Sequence, residues 1–165
     1  YDLDCVITRC TNNYGPRQFY EKLIPKTIFL ANQNKKIPIY GKGENIRDWI
    51  YVNDHCEAVL RVLLDGKKGE SYNVSSDNEI DNLSIVKKIL ELLGKSSDLI
   101  EFVTDRPGHD LRYSLNSSKI KNSLKWNPEI SFDDGIQNTI DWLINNSRGK
   151  DISENILGST PWKKS

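Results

Sequence analysis

The chain has 165 residues and no net charge, with 23 Lys plus Arg against 23 Asp plus Glu. That length allows about one domain around a single core, and the charge balance excludes a protein that coats nucleic acid with a broad basic face. No apolar run reaches the roughly 18 residues of a membrane span and no leader pattern is present, so a soluble, cytoplasmic protein without a membrane partner is expected.

"DCVITRC" near the start reads as a strand, Cys5 to Arg9, whose apolar residues do not strictly alternate, which suits a parallel sheet covered on both faces. Cys5 and Cys10 on one strand lie roughly 16 Å apart, beyond disulfide reach, and three cysteines do not make a disulfide framework. With His55 and His109 the only histidines, no metal site is expected. The chain contains no methionine and begins just before a buried-looking strand, which predicts a piece of a longer protein.

A polar loop at Asn12-Asn13 and a turn at Gly15-Pro16 are expected next. "LIPKTIFLANQNKK" predicts a helix over 23–36, with Pro25 in the first turn where its missing N–H costs nothing. "KIPIYGKGENIRDWIYVND" predicts a strand, a turn at Gly41 and Gly43, and a second strand from Asp48 to Val52. Asp54, with Glu57 three residues on, predicts the start of a helix carrying Ala58, Val59, Val62 and Leu63. "ESYNVSS" is a short strand. "NLSIVKKILELLG" is an amphipathic helix with Val86, Ile89, Leu90 and Leu93 on one face and Gly94 as its stop. After the strand "IEFVTD" come a helix capped near Ser117 that ends before Pro128, and one that starts at Ser131 with Asp134 in the capping-box position and a face of Ile136, Ile140, Leu143 and Ile144. From Ser147 the tail lacks periodicity, as disordered segments do. No repeat or linker interrupts this order, and the class is mixed α/β.

The densest charge lies in "VTDRPGHDLRYS", residues 103–114, where Asp105, Arg106, His109, Asp110 and Arg112 surround a Pro-Gly turn. Two readings compete: a solvated loop whose charges pair loosely, or an anion site with Arg106 and His109 facing a ligand. Elsewhere no glycine-rich phosphate cradle follows a strand, and no tyrosine is followed four residues later by lysine.

"NNYGPRQFYEKLIP", "PIYGKGENIRDWIYVNDH", "GESYN" and "DRPGHDLRY", in this order and spacing, resemble the C-terminal half of the dTDP-glucose 4,6-dehydratases, extended short-chain dehydrogenases/reductases of nucleotide-sugar metabolism. The likeness covers about residues 1–145. "RDWIYVND" is shared with other nucleotide-sugar epimerases and dehydratases, whereas "EKLIP" with "DRPGHD" is more specific. The resemblance implies the last strands of a Rossmann sheet and a small mixed α/β substrate domain in residues 1–146, with the tail 147–165 unassigned. It implies an NAD cofactor bound mainly by an N-terminal half absent from this chain, together with the catalytic residues, so this chain alone is expected to be inactive. It also implies a dTDP-sugar partner and a homodimer in the complete enzyme.

By the same resemblance Arg47, Arg106 and His109 are expected to bind the diphosphate, since guanidinium forks match phosphate oxygens. Pro38, Ile39 and Tyr40 would line the thymine pocket, Lys22, Leu23 and Asn82 the nucleotide, and Asn12 the sugar or a phosphate; Asn13 would touch the nicotinamide side of NAD. Structural alternatives stay open for several of these: Arg47 pairing with Asp48 or Glu44, His109 stabilising its turn, Ile39 as ordinary strand, Asn82 as a helix cap. Two other functions also remain, another nucleotide-sugar epimerase or decarboxylase and a non-catalytic nucleotide-sugar binding module.

Overall fold

The computed structural model describes residues 3–146. The expectation for the tail at 147–165 falls outside the described residues. The α/β class is as expected: short strands, mostly in consecutive pairs and joined by parallel ladders, are interspersed with helices.

The first strand starts at Ile7, two residues after the expected Cys5, and runs on past Arg9 with a break in its middle. Ile7–Cys10 (β1) pairs in parallel with Ser71–Val74 (β5), and Asn12–Tyr14 (β2) pairs in parallel with Ile46–Tyr51 (β4). Asn12 and Asn13 therefore lie in a strand and not in the expected loop, because β4 supplies the ladder that their polar side chains give no hint of. β4 also pairs in parallel with Arg112–Tyr113 (β8) and belongs to the same sheet as Glu79–Asp81 (β6). Ile37–Tyr40 (β3) pairs in parallel with Ile100–Val103 (β7) as a separate two-stranded sheet. Pro38 is tolerated there because β3 has a ladder on one side only.

Contacts divide the described residues into two compact units, one from residues 3–15, Ile46–Ile80 and Arg112–Gly135, the other from Pro16–Asn45, Asp81–Leu111 and residues 136–146. The first unit packs Ile50, Ala58, Val62, Tyr72, Val74, Ile120 and Trp126 into its core. These come from β4, β5, the helix Val52–Asp65 (α2) and the helix Ser118–Leu124 (α4) with the residues after it. In the second unit Leu30 and Ala31 of the helix Leu23–Asn32 (α1), Ile37 and Ile39 of β3, and Val86 and Leu90 of the helix Asn82–Leu92 (α3) form the other core. Each such fully buried aliphatic side chain stabilises by about 1.5–3 kcal/mol relative to exposure.

Helix ends differ from expectation in instructive ways. α2 starts at Val52, so Asp54 lies inside its first turn; its carboxylate instead accepts from the Glu129 and Ile130 amides at 3.1 Å each. The cap of α3 is Asp81, whose Oδ1 accepts from the Ser84 amide at 2.8 Å, and Asn82 is the first helical residue. The last helix, Phe132–Asn145 (α5), begins as expected, with Ser131 Oγ accepting from the Asp134 amide. Ile136 and Ile140 of its apolar face are buried, whereas Ile144 is exposed.

Candidate nucleotide-binding site

In the second unit, strand pleating decides which of the expected base-pocket residues share a face. Ile37 and Ile39 point into the core; Pro38 and Tyr40 are half-buried on the opposite face. Ile39 is thus a core residue, and of the three consecutive positions only Pro38 and Tyr40 are left to present side chains to a ligand. Lys22 is exposed at the start of α1 and pairs with Glu21 at 2.8 Å, while Leu23 leans on the core.

The turn after β3 is held from several directions. Gly43 has φ +75, and an added Cβ would stand 2.8 Å from Ile39 Cγ2 and 2.9 Å from Leu83 Cβ. Its carbonyl accepts from the Leu83 amide and the Asn45 carbonyl from the Asn82 amide, fastening the turn to the start of α3. Asn45 itself is buried and donates its Nδ2 to the Asp110 carbonyl at 3.1 Å. This one side chain joins the turn to the charged loop.

In that loop Asp105 Oδ1 lies 2.7 Å from His109 Nδ1 and accepts from the Arg106 amide at 2.8 Å. The His109 bond, and then the backbone bond and the nearby charges, hold the Asp105 carboxyl below its ordinary pKa. His109 meets the Tyr40 ring edge-on, with centroids 6.5 Å apart. Burial raises the Tyr40 hydroxyl, and the positive charge of Arg106 opposes that rise. Tyr40, Asp105, Arg106 and His109 therefore form one tied cluster; Pro38 shares the strand face of Tyr40, and Asn82 is linked to the loop through Asn45. Gly41 permits it, because a Cβ there would stand 3.1 Å from Asp105 Oδ2. Arg112, six residues beyond Arg106, is instead spent on Glu79 in the first unit, in a two-pronged pair at 2.7 and 2.5 Å.

The first unit carries Asn12, Asn13 and Arg47. Arg47 is 7% exposed and donates to the Ile46 carbonyl. Asn13 donates its Nδ2 to Cys10 Sγ at 3.2 Å. A cleft of about 430 Å³ in the same unit is lined by Trp49, Asn78, Pro128 and Phe132 among others, and none of the residues expected to bind ligand borders it. Asp48 and Asn45 were not singled out from the sequence as site residues. A buried amide inside a glycine turn is the one signal that marks Asn45.

The described residues do not fit a dinucleotide cradle: α1, α2 and α3 follow Lys22, Tyr51 and Asp81, and none starts on a glycine-rich turn. Asn13 alone cannot hold a pyrophosphate.

The family model described as GDP-mannose 4,6 dehydratase matches residues 1–139. The chain is 44% identical over 158 residues to dTDP-glucose 4,6-dehydratase 1 of Escherichia coli K12, covering 92% of this chain and 44% of that protein. Its fold is similar to a crystal structure of dTDP-glucose 4,6-dehydratase from Bacillus anthracis in complex with NAD, at 48% identity and TM-score 0.82, covering 86% of this chain and 45% of the other. It is also similar to UDP-glucuronic acid 4-epimerase from Bacillus cereus in complex with UDP-glucuronic acid and NAD, at 26% identity and TM-score 0.81, covering 86% and 46%. The chain spans just under half the length of the curated relatives it matches.

Proposed function

The chain belongs to the GDP-mannose 4,6 dehydratase family, and from that premise we propose that it is the sugar-nucleotide-binding part of an NAD-dependent dTDP-glucose 4,6-dehydratase. The complete protein would convert dTDP-glucose to dTDP-4-keto-6-deoxyglucose and water, and would work in the cytoplasm as a homodimer. The observation that carries this reading is the tied cluster of Tyr40, Arg106 and His109, standing on the "PIYGKGEN" and "DRPGHD" segments of a chain 44–48% identical to dTDP-glucose 4,6-dehydratases.

In this reading Arg106 and His109 meet the diphosphate, with Asp105 keeping the His109 ring in place. Pro38 and Tyr40 offer an apolar and an aromatic surface to a flat base. Lys22, Leu23 and Asn82 border the nucleotide, and Ile39 supports that strand from the core side. Arg47 and Asn12 serve the phosphates and the sugar. Asn13 would touch the cofactor, which is otherwise held outside this chain.

The second reading, a UDP-sugar epimerase, draws on the Bacillus cereus neighbour. The base distinguishes the two. Titration calorimetry of the chain with dTDP, UDP and GDP is expected to favour dTDP by about tenfold or more, the worth of about 1.4 kcal/mol. Equal affinities, or a preference for UDP or GDP, would reject the dehydratase reading.

A further inference from the structure

The strand over residues 7–14 changes partner in mid-course. Up to Cys10 it pairs with β5, and from Asn12 it pairs with β4. The last bond to the β5 side runs from the Thr11 amide to the Val74 carbonyl at 3.1 Å. Where a strand passes from one parallel neighbour to another, the two neighbours diverge and a fork opens between them.

Here the Asp48 side chain, with no exposed surface, ties the fork. Its Oδ1 accepts from Thr11 Oγ1 at 3.0 Å and from the Ser76 amide and hydroxyl at 3.1 Å each. Its Oδ2 accepts from Ser75 Oγ at 3.1 Å. Those donors come from the broken strand and from the turn that follows β5, so one carboxylate links all three sides of the fork. Ser75 Oγ also lies 2.9 Å from Asp77 Oδ1, and Asp77 is held in turn by Ser117 and Lys121. A buried carboxylate is tolerated only when its lone pairs are bonded, and Asp48 meets that condition with neutral donors. An aliphatic residue of similar size would take the acceptor from the Thr11 hydroxyl and the Ser76 amide, whereas the Ser75 and Ser76 hydroxyls would keep Asp77 Oδ1 and the Trp49 carbonyl.

We infer that Asp48 is a positioning residue: it holds the fork at Thr11 in one geometry and thereby sets Asn12, Asn13 and its own neighbour Arg47. The inference rests on the reading above for what those three residues bind, but the fork itself does not depend on it. Strand pleating turns Arg47 to the opposite face from Asp48, so the carboxylate acts from behind the ligand-facing side.

The test uses the full chain with Asp48→Ala, Asp48→Asn and Thr11→Val, measured well below each melting temperature. Asp48→Ala is expected to weaken dTDP binding about tenfold, the scale of one hydrogen bond to a charged group. Asp48→Asn keeps an acceptor for Thr11 and should stay within about threefold of the parent, with Thr11→Val between the two. Amide exchange should speed up at Asn12–Tyr14 in the alanine variant and stay unchanged at Ile7–Cys10. A lower melting temperature with unchanged affinity and exchange would make Asp48 a mere core staple and overturn the inference. If the parent chain does not bind dTDP, the functional reading fails on its own and exchange decides the fork: faster at Asn12–Tyr14 alone upholds it, no difference overturns it. If Asp48→Ala does not fold, Thr11→Val decides by the same two measurements.

Discussion

At the scale of single residues, the two arginines proposed to bind the diphosphate differ in setting. Arg47 is almost wholly buried, whereas Arg106 is exposed on its loop. Arg47→Ala and Arg106→Ala are each expected to weaken dTDP binding by about 1.5–3 kcal/mol. Lysine at either position should restore only part of that, because it cannot form the two-pronged contact; full restoration in calorimetry would show that charge alone is at work. Asp105 supplies a pH prediction. Its folded pKa is depressed, first by the His109 bond, so the stabilisation is present above the ordinary aspartate pKa and is lost as pH falls through the lower, folded value. A carbon-detected titration should find its carboxyl midpoint below that of an unpaired aspartate, and His109→Ala should move it upward; an unmoved midpoint would contradict the pairing. The Arg112–Glu79 bridge, exposed on both sides, contributes little by itself.

Among the elements, the turn after β3 is the most constrained by space. Gly43→Ala would add a Cβ within 3 Å of Ile39 and Leu83 at φ +75. Gly69 has φ +80 with nothing within 4 Å of an added Cβ, so Gly69→Ala isolates the backbone cost, about 1–2 kcal/mol. Gly43→Ala should lose that and a further ~1–3 kcal/mol from overpacking in chemical denaturation; equal losses would mean the neighbours yield freely. Asp81→Ala should cost about 1 kcal/mol through the lost cap of α3. Elements with strong periodicity were legible in the sequence: the Val86, Ile89, Leu90 stripe of α3 and the capping box at Ser131 and Asp134 both stand where expected. What eluded it depends on distant partners. Asn12 and Asn13 carry no strand signal, and only β4 makes them one. Asp54 looks like a cap but is drawn to the Glu129 and Ile130 amides, and Ile39 cannot be told from its neighbours until the pleat is known. In the same way "DRPGHD" showed that charge was concentrated, but not that Asp105 would orient His109 while Arg112 went to Glu79.

For the molecule as a whole, no tyrosine stands four residues before a lysine and the described helices lack a phosphate-cradling start. Incubating the chain with NAD and dTDP-glucose is therefore expected to give no 4-keto-6-deoxy product by its alkaline absorbance, and sustained formation above a blank would show that the chain carries catalytic groups of its own. α2 shows water a row of Leu60, Leu63 and Leu64, with Leu63 72% exposed. Polar replacements along that row should leave the melting temperature nearly unchanged, since surface changes usually stay within about 0.5 kcal/mol. The parallel ladders bear on how the chain reaches this state in time. Ile7 must find Ser71, Ile37 must find Ile100, and Ile46 must find Arg112. Long stretches of backbone have to be closed into loops before any of these ladders yields a bond. Refolding from denaturant should consequently be slow for a chain of this size, on the order of milliseconds to seconds. During that delay the half-formed strands are open to one another's copies, so the yield should fall as protein concentration rises.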